Sequence, residues 1–355
     1  MPNPERVELV RQRLGLTKIG FARELGVDRK ALQRFESGAA ILSEECLERL
    51  VAVSGYPMAY FEKKGTPEYP NPDGVSFRSL RSLTASARDA AIAAGAIAFE
   101  FDDWINQQYD LPRPNLLQTN SDPPEKAAAL LRAKWGIGER PVGNMVNILE
   151  AHGVRVFSLV EETRHLDAYS LWRNDRPYVF LNTLKTAEHS RFDAAHELGH
   201  LVIHRHSGSS HQNAEHEANA FASAFLMPPN DLIAEFPWVR SLNDLVLKKK
   251  RWGVSVAALN YALHKYGKIS DWHYRSYYIS LSKLGRENEP NPLPPETSQV
   301  WAKILRDLWT QGLSLSRVAE RLDVPERELS NLLFGIASPP PLPPATGGRK
   351  LKSIA

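Results

Sequence analysis

Apolar residues recur at three- and four-residue intervals over residues 5–61: Val7, Leu9, Val10 and Leu14, then Ile19, Ala22 and Leu25, then Leu32 and Phe35, then Leu47, Leu50 and Val51. This spacing predicts short packed helices, with Gly26 and Gly38 closing two of them. The run "GTPEYPNPDG", residues 65–74, has linker composition and ends a first domain over 1–64. Beyond it, "TASARDAAIAAGAIAFEFDDWINQQYD" predicts a long alanine-rich helix, and "SDPPEKAAALLRAKWGI" predicts another with Ser121 or Asp122 as its cap. The period then changes. "VRVFSLV", "AYSLWR" and "PYVFLNT" are β-branched and aromatic runs separated by polar turns, which predicts a small antiparallel sheet leading into a helix around residue 196. A further helix ends at Pro228, and residues 241–285 are mixed, with a basic cluster "KKKR" at 248–251. "GRENEPNPLPPETS" reads as a second linker, 297–337 returns to short amphipathic helices, and the proline-rich, then basic stretch 338–355 reads as disordered. The fold class is therefore mainly α with a small antiparallel sheet (α+β), in segments 1–64, 75–285, 297–337 and 338–355.

Composition narrows the partners. The 355-residue chain is 43% apolar and 24% charged, enough for two or three globular domains. Cys46 is the one cysteine, which excludes an internal disulfide framework and any multi-thiolate metal site, and fits a reducing, cytoplasmic setting. No stretch reaches the roughly 18 apolar residues of a membrane span, and the N-terminal segment lacks the apolar core of a signal peptide. A formal net charge of +3 is too small to argue for a polyanion by itself.

Chemistry concentrates in "AAHELGH", residues 194–200. Residues four apart on a helix share a face, so His196 and His200 can present their imidazoles to one cation, with Glu197 offset but close enough to take a proton from water. Neutral imidazoles suit zinc, and a carboxylate base suits water of lowered pKa. The five-residue pattern alone also fits a solvated polar helix, so a third ligand decides the matter. His204 lies roughly 6 Å further along the axis and is placed behind the site or at the helix end. Glu215 is the better candidate, because Ala218, Ala222 and Phe225 in line with it turn that helix face inward. Glu217 is the alternative ligand, and Asn219, one turn after Glu215, is placed to hydrogen-bond a ligand. Gly199 leaves room for another segment, and His206, His211 and His216 read as surface residues.

"RFDAAHELGHLVIH" followed by "AEHEANAFASAFLMP" resembles the ImmA/IrrE family of metallopeptidases, a likeness running from "VSFRSL" through "RWGVSVAALNYALHKYG" to "ISLSKLGRENEP". The resemblance implies a gluzincin-like zincin core, His196, His200 and Glu215 as ligands of Zn2+ or another divalent metal, and Glu197 as the base. It also makes "PYVFLNT" the strand that receives a substrate peptide by edge pairing.

"LTKIGFARELGVDRKALQRFESG" has the layout of a helix-turn-helix: a helix from Thr17 with Ile19, Ala22 and Leu25 inward, a turn at Gly26–Val27, and a second helix capped by Asp28. Arg29, Lys30 and Arg34 fall on the exposed face, and Thr17 and Lys18 at a helix start that can hold a DNA phosphate. A helical packing or dimerisation unit shares this pattern. The stretch, including "FESG", resembles Xre (Cro/C1-type) DNA-binding domains. "GLSLSRVAERLDVPERELSNLLFG", 312–335, repeats the layout with Leu315, Val318, Leu322, Leu329 and Leu332 inward. Its outward positions, Glu326, Arg327 and Ser330, are less basic, so protein contact and DNA binding stand level there.

Two functions follow from these readings. One is a DNA-binding regulator fused to a zinc endopeptidase that cuts a repressor or antitoxin-type partner. The other is a non-proteolytic Xre-type regulator or antitoxin, opposite a toxin-like partner, that uses the zincin fold as sensor or homodimer platform. An intact Glu197 favours the first.

Overall fold

The computed structural model describes residues 1–71, 84–119, 122–159, 168–205, 211–285, 288–335 and 352–353. The stretch 75–80, Ser121, His206 and residues 338–351 and 354–355, for which the sequence raises the expectations above, lie outside the described residues.

The first five helices are α1 (Pro4–Arg13), α2 (Lys18–Glu24), α3 (Arg29–Glu36), α4 (Glu44–Ser54) and α5 (Met58–Glu62). Local chemistry sets their ends. Thr17 accepts from the Gly20 N–H and Asp28 from the Ala31 N–H, at 3.1 and 2.7 Å, and Gly26 takes φ +70° in the turn between α2 and α3. Ala22 and Leu25 are buried as expected, but Ile19 is 56% exposed. Phe21 takes its place in the core, because at 100° per residue Phe21 lies nearer the Ala22–Leu25 face than Ile19 does.

The long helix α6 (Ala85–Asn106) forms as its alanine-rich sequence predicts. Gly95 on this helix lets neighbours come close, since a Cβ there would stand 2.5 Å from Pro70 and 2.6 Å from the Tyr169 hydroxyl. Helix α7 (Pro124–Lys134) starts at Pro123 without a side-chain cap, so Asp122 is not its N-cap. Helix α8 (Met145–Ala151) then precedes the sheet.

The sheet has strands β2 (Arg155–Leu159), β3 (Ala168–Arg173) and β4 (Arg176–Asn182), in the order β2-β4-β3. It is mixed rather than antiparallel: β3 and β4 are antiparallel with Arg173 opposite Arg176, while β2 and β4 are parallel with Phe157 opposite Phe180. The cause is the tight turn at Asn174 and Asp175, both at positive φ, which commits β3 to one edge of β4. β2 must then join the other edge, where it runs with β4. Consequently β4, the "PYVFLNT" strand, is central and has no free edge for a peptide.

Both faces of the sheet are covered, which explains its continuous apolar runs. Val156, Val179 and Leu181 share one core with Leu198, Leu201 and Val202 of α9 (Ala187–Ile203), while Phe157, Tyr178 and Phe180 share the other with Phe99 and Phe101 of α6. Between them Asp102 is buried but satisfied, accepting from Arg155 at 3.0 Å and from the Tyr178 hydroxyl at 2.6 Å.

Helix α10 (His211–Leu226) packs along α9, followed by α11 (Pro229–Glu235), α12 (Leu242–Lys248), α13 (Val256–Lys265) and α14 (Asp271–Leu284). The "KKKR" cluster is not a free basic patch. Lys249 is fully buried between Glu188 at 2.6 Å and Glu289 at 2.9 Å, Lys248 pairs with Glu235 at 2.9 Å, and Arg251 with Asp231.

The described part of the second expected linker, residues 288–298, is a pinned strap. Glu289 accepts from the Val256 N–H, the Leu293 N–H reaches Glu188, and Glu296 caps α8 by accepting from the Met145 and Val146 N–H groups at 2.8 and 3.1 Å. It leads to α15 (Gln299–Thr310), α16 (Leu315–Arg321) and α17 (Glu326–Leu332). Leu315, Val318, Leu322, Leu329 and Leu332 are buried as their spacing predicts, in one core with the apolar side chains of α1 to α6. Arg13 pairs with Glu328 at 2.8 Å and Lys63 with Asp323 at 3.3 Å, so this second helix-turn-helix layout docks on the first. Beyond it, β5 (Lys352–Ser353) pairs antiparallel with β1 (Tyr109–Asp110).

Candidate metal centre and nucleic-acid interface

Helices α9 and α10 build the site between them. Their approach depends on Gly199, where a Cβ would stand 3.1 Å from the Phe221 ring and 3.3 Å from the Ala218 Cα. At this contact the helical spacing brings His196, His200 and Glu215 together as a group able to hold a metal ion. The two Nε2 atoms are 3.0 Å apart, and the Glu215 oxygens lie 3.5 Å from His196 Nε2 and 3.6 Å from His200 Nε2.

The two Glu215 separations suit one small divalent ion, since bonds of about 2.0–2.2 Å around a tetrahedral centre put neighbouring donors about 3.3–3.6 Å apart, and the two Nε2 atoms, at 3.0 Å, stand closer together than that. The donor chemistry agrees. His196 Nδ1 is 3.0 Å from Asn219 Oδ1, an acceptor, so the ring hydrogen sits on Nδ1 and Nε2 turns a lone pair toward His200 and Glu215. Two imidazoles and one carboxylate match zinc's preferences and leave a fourth position open. Side-chain exposure is 14% at His196 and 18% at Glu215 against 3% at His200, so the site opens on the His196–Glu215 side.

The electrostatics follow from crowding. Burial would raise the Glu215 carboxyl, but the imidazoles of His196 and His200 beside it hold it well below the usual carboxylate range. Burial lowers His200 to about 4. At His196 burial also acts downward, but the carboxylates of Glu215, Glu197 and Asp193 around it outweigh it and raise the imidazole.

Glu197 is buried, and its Oε2 accepts from the Ser170 hydroxyl on β3 at 2.6 Å. His204 sits behind the site, Nδ1 3.0 Å from His200 Nδ1 and Nε2 2.7 Å from Glu217 Oε2. Glu217 is thus outside the ligand group, and His216 is exposed as expected. Sequence reasoning missed Ser170 and Asp193. Ser170 is signalled only as the polar residue in the buried, otherwise apolar first part of its strand. Asp193, three residues before His196, is a partly buried carboxyl raised by desolvation despite nearby His189 and Lys185.

In the N-terminal helices Arg29, Lys30 and Arg34 are exposed on α3 and pair with no described residue, so their charges face solvent. Lys18 is differently placed, its ammonium 2.6 Å from Glu36, and the Thr17 hydroxyl serves its own helix. On α17 Glu326 and Arg327 are exposed and Ser330 is half-buried.

A His-Glu-x-x-His helix facing a glutamate on the next helix, behind an N-terminal helix-turn-helix, defines a metallopeptidase-type domain joined to a domain of the DNA-binding type. Residues 149–264 match the family model of the IrrE N-terminal-like domain in the M78 peptidases, and residues 7–61 match the helix-turn-helix model. No curated protein matches the chain. The peptidase family implies a divalent metal. No helix among the described residues is long and apolar enough to cross a membrane.

Proposed function

We propose that the protein is a DNA-binding regulator whose IrrE-like domain is a zinc endopeptidase acting on a repressor- or antitoxin-type partner. The observation that carries this reading is the convergence of His196 Nε2, His200 Nε2 and Glu215, 3.0 to 3.6 Å from one another, beside a buried Glu197. His196, His200 and Glu215 hold the ion, Asn219 orients His196, and His204 backs His200. A bound divalent ion supplies Lewis-acid activation of water and of a peptide carbonyl. Glu197 takes the proton from the attacking water and later delivers it to the departing amine, with Ser170 holding its carboxylate in place through Oε2. The substrate strand pairs with β3 instead of β4, since among the described residues β3 lies at the edge of the sheet and packs directly on α9. Arg29, Lys30 and Arg34 supply phosphate and base contacts in the major groove.

The experiment incubates the zinc-loaded chain with the product of the adjacent gene, beside Glu197→Gln. Cleavage by wild type alone supports the peptidase, and equal survival of the partner with both proteins refutes it. For the DNA half, binding to the protein's own promoter in a gel shift is expected to weaken by roughly 1–3 kcal/mol in each of Arg29→Ala and Arg34→Ala. Unchanged binding removes the assignment.

A second reading has support of its own. Arg191 on α9 bonds Glu296 of the strap, and the strap continues into the helices whose Glu328 pairs with Arg13, which connects the metal helix to the helix-turn-helix domain. The peptidase fold would then sense metal and cut nothing. A gel shift that responds to zinc in Glu197→Gln as in wild type, with the partner intact throughout, selects it.

A further inference from the structure

Glu217 stands outside the ligand group, yet the hydrogen bonds behind the site end on it. Its Oε2 is 2.7 Å from Nε2 of His204, a ring only 6% exposed. A carboxylate only accepts, so His204 Nε2 carries a hydrogen directed at Glu217, and Nδ1 is the ring atom left to accept from a neighbour. That Nδ1 lies 3.0 Å from Nδ1 of His200. His200 has one hydrogen for two neighbours, His196 Nε2 and His204 Nδ1, each 3.0 Å away; the Glu217 carboxylate makes His204 the stronger acceptor, so the hydrogen goes to His200 Nδ1 and Nε2 presents its lone pair to the site.

We infer that Glu217 is a positioning residue: acting through His204, it sets the tautomer and ring angle of His200 so that Nε2 is ready for a divalent cation. The inference rests on the reading of His196, His200 and Glu215 as a metal centre. Asn219 does the same for His196 by a single direct bond, whereas His200 is served by a two-bond relay from one carboxylate. Groups that orient a metal-bound histidine through its second nitrogen strongly affect affinity.

The test measures zinc affinity of the full chain by competition with a chromophoric chelator. Glu217→Ala is expected to weaken zinc binding roughly 10- to 100-fold. Glu217→Gln keeps an oxygen that accepts from His204 Nε2 and is expected to stay near wild type. His204→Ala should lose as much as Glu217→Ala, and the double variant no more than either. Wild-type affinity in Glu217→Ala overturns the inference. So does equal weakening by Ala and Gln, which would assign the effect to charge rather than to a directed bond.

Ring 15N shifts of the metal-free chain supply a second readout, independent of zinc. They are expected to place hydrogen on Nδ1 of His200 and Nε2 of His204. Hydrogen on Nε2 of His200 overturns the relay. A wild type that binds no zinc, yet shows these tautomers, defeats the metal-centre reading and leaves the relay supported.

Discussion

Arg191 donates to Glu296, joining the strap over residues 288–298 to the helix that carries both histidines, one and a half turns before the first of them. The other Glu296 oxygen caps α8, so one carboxylate ties three segments. Glu296→Ala strips Arg191 of its counter-charge and two N–H groups of their acceptor. Breaking a fully buried pair costs about 3–5 kcal/mol. Glu296 is 16% exposed, so water recovers part of this and a smaller loss is expected in urea unfolding. An unchanged midpoint and slope would show that the strap is not held there.

Lys249 and Glu188 are both fully buried, 2.6 Å apart, with Glu289 completing the triad. Lys249→Met fills the space but leaves two carboxylates without their cation. The expected loss is about 3–5 kcal/mol by chemical denaturation. Restoring stability in a triple variant with Glu188→Gln and Glu289→Gln would confirm unpaired charge as the cause, and a neutral single variant would contradict it.

Gly199 sets the distance between α9 and α10. Gly199→Val drives methyl groups against Ala218 and Phe221, and the helices must part. Overpacking of this kind costs about 1–3 kcal/mol. Glu215 moves with α10, so zinc affinity is expected to fall along with stability. Stability lost at full zinc affinity would mean that the site does not depend on this contact.

The charge state of the site predicts a pH dependence. His196 is raised above its ordinary 6.5, so in the metal-free chain it contributes stability that is complete below 6.5 and is lost as pH rises through its folded value. Glu215 is depressed below 4.5, so its contribution is present above 4.5 and fades as pH falls through its folded value. The metal-free pair is therefore most stabilising between about 4.5 and 6.5. Zinc must displace the His196 proton, while His200, at about 4, is already neutral. The rise in Tm on adding zinc is expected to grow from about pH 5.5 to about pH 8. A rise that is flat or shrinks over that range would contradict the assignment of His196 as a ligand.

What could be read from sequence was local. Thr17, Asp28, Gly26 and Gly38 mark helix ends by chemistry within a few residues, and the i, i+4 histidines with an inward Glu215 need only helical geometry. What escaped was decided by distant partners. The parallel pairing of β2 with β4 follows from β3 having taken the other edge, and the strap looks like a linker because its anchors, Glu188, Arg191 and Lys249, are supplied by remote segments. Ile19 misled because Phe21 competes for the same face and wins on angle.

The docking of α16 and α17 on the N-terminal helices bears on the order in which the chain can be completed. Helices α1 to α5 emerge early and close their own caps and turns. Yet Arg13 and Lys63 meet Glu328 and Asp323 only after some 260 to 315 further residues have been made. During synthesis the face of the helix-turn-helix domain that receives them stays open, and the long loop closure it awaits is a slow step. A ribosome-stalled or truncated chain would carry α3 without the clamp that joins its domain to the half containing His196 and His200.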